Sequence, residues 1–148
     1  MSAEENKRIV HRFLDEVISR GNLAALDEMC APDFVWHGGS VGDFHNLEAF
    51  RQGIAPFFTA FPDLRVTPEE TLADADKVVL RYSWHGTHRG DFFGIPASGK
   101  RVAVAGTSIY RVANGRIAEE WWLEDLLGLM QQLGAVPSPG RPRQVPSS

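Results

Sequence analysis

Apolar residues recur at helical spacing in the first part of the chain and alternate residue by residue through much of the remainder. Ile9, Val10, Phe13, Leu14, Val17 and Ile18 form one stripe and predict an amphipathic helix over residues 3–20. Gly21 is a stop, and Asn22 caps a short second helix carrying Leu23, Leu26 and Met29 before Pro32. Residues 33–37 (Asp-Phe-Val-Trp-His) read as a short strand closed by Gly38-Gly39. Asn46 caps a third helix over 47–60, whose face holds Phe50, Ile54, Phe57 and Phe58; Pro56 removes a backbone donor and predicts a kink or a break. The period then changes from helical to alternating. Residues 64–73 predict a strand interrupted at Pro68, hence an edge or a bulge. Over 77–88, Val78, Leu80, Tyr82 and Trp84 share one face, opposite Val79, Arg81, Ser83 and His85. A Gly- and Pro-containing loop spans 89–99, a strand runs over 100–112, and Asn114-Gly115 is a type I′ hairpin signal leading into a strand over 116–124. A closing helix follows over 125–133.

Helices followed by an antiparallel meander make an α+β fold. A sheet of so few strands must bury its apolar face on the helices, and incomplete curling leaves a cavity between the two. One domain over 1–134 is expected, with residues 135–148, which hold four prolines, as a mobile tail.

Composition narrows the function classes. The chain is 43% hydrophobic and 23% charged with net charge −4, without a basic stripe for nucleic acid or an apolar run for a bilayer. The N-terminus lacks a secretion-signal pattern, and the single cysteine, Cys30, excludes an intrachain disulfide; both suit the cytoplasm. Five histidines are present, yet none pairs at the i, i+4 spacing of a helical zinc site, so no metal is expected. Phosphate-cradling loops, dinucleotide fingerprints and nucleophile elbows are likewise missing. No cofactor is expected.

Several motifs carry a family resemblance: Gly86-x-His88-x-Gly90, Gly94-Ile95-Pro96, Gly99-Lys100, Gly115-Arg116-Ile117, then Glu119-x-Trp121-x-x-x-Asp125 and Gln132-Leu133-Gly134. Over residues 3–134 the chain resembles the SnoaL-like polyketide cyclase (ester cyclase) branch of the NTF2-like superfamily. The resemblance implies an NTF2-like cone, a curved antiparallel sheet wrapped by about three N-terminal helices around one apolar pocket, and a homodimer. It also implies aldol cyclisation without cofactor or metal, by an acid-base aspartate on the last strand assisted by a histidine on the strand before it. Those two positions hold Trp122 and Ser108 here. An indole N–H only donates, and serine is a weak base without an activator, so that mechanism does not carry over.

With Trp122 facing inward, alternation turns Glu120 inward as well and sends Glu119 and Trp121 out. Glu120 is then the carboxyl for acid-base chemistry, unless an arginine holds it. His37, at a strand end, and His88, in the Gly-x-His-x-Gly turn, are the candidate proton partners, or else structural histidines. Asp125 and Asp63 read as caps or turn residues. Trp36, Phe57, Phe61, Tyr82, Trp84, Ser108 and Trp122 are the expected walls for a small hydrophobic ligand. The expected function is a cyclase, isomerase or hydrolase moving a proton on a carbonyl compound, with Tyr82 donating to the enolate oxygen. The alternative is a binding or dimerisation scaffold of the same shape.

Overall fold

The computed structural model describes residues 2–137; most of the proline-containing tail expected from the sequence lies outside them. Helix α1 (Ala3–Phe13) starts at Ser2, whose hydroxyl accepts from the Glu5 backbone N–H at 3.1 Å, and it buries Val10 and Phe13. The helical stretch runs on as a wider π-type segment over Leu14–Ser19, which keeps Leu14 and Val17 in the core. Gly21, at φ 66°, turns the chain where an L side chain would be strained. A single turn over Leu23–Ala25 leads into α2 (Leu26–Met29) and directly into strand β1 (Cys30–His37). Pro32 lies inside β1, which starts three residues before the predicted strand.

A short β2 (Asp43–Phe44) precedes α3 (Leu47–Ala60), capped by Asn46 Oδ1 on the Ala49 N–H at 2.8 Å. The helix continues through Pro56 rather than splitting there. The buried residues Phe50 and Ile54 anchor the helix, and the proline costs it one backbone bond without ending it. Strands β3 (Arg65–Asp74), β4 (Lys77–Thr87), β5 (Arg101–Ala113) and β6 (Arg116–Glu124) form the antiparallel meander, and α4 (Leu126–Gln132) closes the fold. The β5–β6 turn has positive φ at both Asn114 (53°) and Gly115 (76°), as a type I′ turn requires. Asp125 caps α4 through its carboxylate, which accepts from the Gly128 N–H at 2.9 Å.

The six strands lie in the order β2-β1-β6-β5-β4-β3 in one curved, unclosed sheet. The meander is antiparallel as expected, whereas β1 joins β6 in parallel, so the sheet is mixed. The whole meander intervenes between these two strands, a connection long enough to allow parallel pairing. β3 is an edge strand, and its register slips between Pro68 and Glu70, where the proline withholds a ladder donor. Helix α1 packs on β3 and β4, and α3 on β1. The sheet's inner face therefore meets a helical layer, giving an α+β cone. Among the described residues, no helix is long and apolar enough to cross a membrane.

Candidate functional site

The inner face of the meander is organised as three rungs, each running straight across β4, β5 and β6. They are Val78–Tyr110–Glu120, Leu80–Ser108–Trp122 and Tyr82–Gly106–Glu124. Because side chains alternate along a strand, Glu120, Trp122 and Glu124 all point to the helices. Between these rungs and α1, α3 and β1 lies a narrow cavity of about 70 Å³. Trp36, Phe50, Phe57, Tyr82, Trp84 and Trp122 supply much of its wall, and Glu120 and Glu124 are its two carboxyls.

Glu120 is only 4% exposed and accepts from Ser108 Oγ at 3.0 Å. Burial strips water from the ionised form and dominates its titration. Hydrogen bonding from Ser108, Tyr110 and Trp36 opposes this, nearby Glu124 reinforces it, and the carboxyl is pushed up to about 8. No arginine among the described residues bonds it: Arg111 instead bonds Glu119 on the other face, at 3.1 Å. Burial also raises Tyr110 well above the usual phenol range, so its ring carries a neutral hydroxyl.

Glu124 is more exposed as a residue, yet its carboxylate sits under three fixed donors. Tyr82 Oη donates to Oε2 at 2.6 Å, Trp122 Nε1 to Oε2 at 3.0 Å, and Trp84 Nε1 to Oε1 at 2.9 Å. Desolvation by these rings raises its pKa in spite of the three bonds, which act in the opposite direction. Gly106, at the centre of the Tyr82–Glu124 rung, makes that geometry possible. A Cβ there would lie 2.6 Å from the Tyr82 hydroxyl and 2.7 Å from Glu124 Cγ. Only a bare backbone lets the tyrosine ring cross β5 to reach the carboxylate.

The structure brings together Glu120, Trp36, Phe57, Tyr82, Trp84 and Trp122 at this cavity, whereas Ser108 is buried behind the lining and reaches it only through its bond to Glu120. Phe61 is fully buried beside it, with its ring against Trp84, His88 and Phe92, as core rather than wall. His37 does not meet Glu120. Strand parity turns it to the outer face, where its ring stacks on Trp121 and bonds Glu119 at 2.6 Å and Asp43 at 3.2 Å. Those partners, Glu119 above all, raise its pKa and lower that of Glu119. His88 is fully buried against the β4–β5 loop, which engages Nδ1 and leaves Nε2 without a hydrogen-bond partner among the described residues. Its Nδ1 takes the Ser98 N–H at 3.2 Å and meets Ser98 Oγ at 2.9 Å, while its backbone N–H donates to Lys100 O and its backbone carbonyl accepts from the Gly99 N–H. Asp63 is a turn residue that accepts from both the backbone N–H and the hydroxyl of Thr87, each at 2.7 Å. Sequence reasoning missed Glu124 and Tyr110. Strand parity names both, since they lie two residues from Trp122 and Ser108 on the same face.

No group of His, Cys, Asp and Glu suited to a metal ion occurs among the described residues.

Comparison with known proteins agrees with this architecture. A candidate SnoaL-like polyketide cyclase from Jannaschia sp. CCS1 superposes with a TM-score of 0.84 at 28% identity, covering 91% of this chain and 95% of its own. TsrD from Streptomyces laurentii gives 0.81 at 29% identity, with 92% and 99% covered. A candidate polyketide cyclase from Acidithiobacillus ferrooxidans gives 0.79 at 30% identity, with 91% and 99% covered. No curated protein matches the sequence. The sequence profile of the SnoaL-like polyketide cyclases matches residues 8–133, the span that holds every rung of the cavity, and the chain belongs to that family.

Proposed function

We propose that this protein is a proton-transfer enzyme of cyclase, isomerase or hydrolase type, acting without a cofactor on a small hydrophobic carbonyl compound held in the aromatic cavity. One observation carries the reading: Glu120 is a carboxyl sealed into an aromatic wall and poised at about 8. A group titrating near neutral pH can give a proton to a carbonyl oxygen or, once ionised, take one from the adjacent carbon. Tyr82 is committed to Glu124, so the enolate oxygen is served by Glu120 itself rather than by the tyrosine.

The test is deuterium exchange alpha to the carbonyl, followed by NMR in D₂O over a panel of aryl and polycyclic ketones. Wild-type protein should accelerate exchange on at least one ketone, and Glu120→Gln should lower that rate about 100-fold or more. Retained exchange in a folded Glu120→Gln protein would sink the assignment.

A second reading, ligand sequestration without chemistry, draws on the lining itself. Neither His37 nor His88 reaches the cavity, so no imidazole relays protons from Glu120 to water. Tight binding with no exchange on any ketone would select it.

The family's dimeric habit extends here to the outer face of β5 and β6. Ile109 stands opposite Trp121, with Leu123 71% exposed beyond them, an apolar strip that suits a second copy. Light scattering on wild type and Leu123→Glu reads this directly, a monomeric wild type being the contrary result. The lone thiol of Cys30, buried and pushed up to about 12, suits a reducing cytoplasm.

A further inference from the structure

We propose that the cavity is charge-selective and takes a carbonyl compound that also carries a basic nitrogen, its ammonium seated against Glu124. This rests on the cavity being the ligand site argued above, and it adds the class of ligand. Three observations lead to it.

The first is the sign of the lining. Two carboxyls face the cavity, and none of its lining residues is a lysine, an arginine or a histidine. A carboxylate or phosphate ligand would enter beside the Glu124 carboxylate with no cationic side chain in the lining to offset it, an arrangement that disfavours anions.

The second is the direction of the hydrogen-bond donors. Tyr82 Oη, Trp84 Nε1 and Trp122 Nε1 all point at Glu124, and Ser108 Oγ points at Glu120. Indole N–H groups can only donate, so these donors are spent on the protein's own carboxylate. Glu124 Oε1 takes one of the three bonds and keeps acceptor capacity. That wall therefore offers a fixed acceptor to a ligand that donates.

The third is the aromatic surround. Trp36 and Trp122 lie 4.9 Å apart, centroid to centroid, and Phe57 meets Trp122 edge-on at 6.4 Å. Electron-rich rings lining a cavity that also holds a carboxylate favour an organic ammonium ion as ligand.

The two carboxyls then divide the ligand between them. Glu124 holds the ammonium, and Glu120, kept protonated by burial, donates to the carbonyl.

The experiment is isothermal titration of the wild-type protein at pH 7 with three probes sharing one ring system: 2-naphthylmethylamine, 2-naphthylmethanol and 2-naphthoate. The expected result is that the amine binds about tenfold or more tighter than the alcohol, with the naphthoate weakest. In Glu124→Gln the amine's advantage should fall to about threefold or less while the alcohol's affinity stays put. An alcohol or naphthoate that matches the amine on wild type overturns the proposal, and that order decides the matter even if the variant does not fold. Preference for the amine surviving in a folded Glu124→Gln protein also overturns it. If the alcohol binds best and Glu120-dependent ketone exchange persists, only the charge selection falls. If no probe binds and no ketone exchanges, the reading of the cavity as a ligand site falls with it.

Discussion

Replacing Glu120 by glutamine should change how stability depends on pH more than it changes stability at any single pH. The wild-type carboxyl titrates near 4.5 in the unfolded chain and at about 8 in the fold. Between those values the folded state holds a proton that the unfolded state has released, so wild-type stability falls as pH rises through this window. Below 4.5 both states are protonated and the burial carries no such penalty; above 8 both are ionised and the penalty is complete. The slope approaches about 1.4 kcal/mol per pH unit, which amounts to about 2–3 kcal/mol between pH 5 and pH 7. Glutamine is nearly isosteric and still accepts from Ser108, but it does not titrate. Glu124 and His37 titrate in both proteins, so their contributions largely cancel in the difference. Urea unfolding followed by tryptophan fluorescence at pH 5, 6, 7 and 8 gives that difference directly. Wild type should weaken relative to Glu120→Gln across the series. Parallel curves would mean that Glu120 ionises in the fold as readily as in water, and the acid-base reading would lose its physical basis.

Gly106→Ala places a methyl group where the Tyr82 hydroxyl and the Glu124 side chain now lie, and urea unfolding should register a loss of about 1–3 kcal/mol with altered tryptophan emission. Asp125→Ala removes the cap of α4 and should cost about 1 kcal/mol in the same assay, with ketone exchange unaffected. His37→Ala should leave ligand binding intact, because the ring lies outside the cavity. Its pairs with Glu119 and Asp43 raise its pKa, so their contribution is present below about 6.5 and lost as pH rises through the folded value. With side-chain exposures of 30% and 21% for His37 and Glu119, the loss should stay below about 1 kcal/mol.

Period and punctuation in the sequence make most of this fold legible. The alternation over Val78–Trp84 gives the inward face of β4, and Asn114-Gly115 gives the hairpin that registers β5 against β6. Register then carries Glu120 and Trp122 inward, as their burial and the cavity lining show. What the sequence hid was non-local. Pairing of β1 alongside β6 is set by packing between distant segments and has no local sequence signal. Pro56 breaks an isolated helix, whereas here Phe50 and Ile54 hold α3 together by burial. The histidines misled for a similar reason. His37 is one residue from the inward Trp36, and a single step along a strand is a change of face. His88 is inside the protein, but the loop beside it takes Nδ1, and Nε2 stays buried without a partner among the described residues, away from the cavity lining. Gly106 carries no signal of its own, since its importance lies in the tyrosine that crosses it.

The rung Ser108–Trp122 holds the two positions at which the family resemblance would put an acid-base pair. In this chain the carboxyls stand one rung to either side, at Glu120 and Glu124. Two residues along a strand is about 7 Å, roughly the width of a fused ring. On the proposed proton-transfer reading, a substrate lying along these strands would meet the acid one rung away from that position, and the bond formed or broken would move with it. On that reading, regiochemistry in such a cone follows from which rung carries the acid. It can change by point substitution on two neighbouring strands while the helices and their aromatic wall stay as they are.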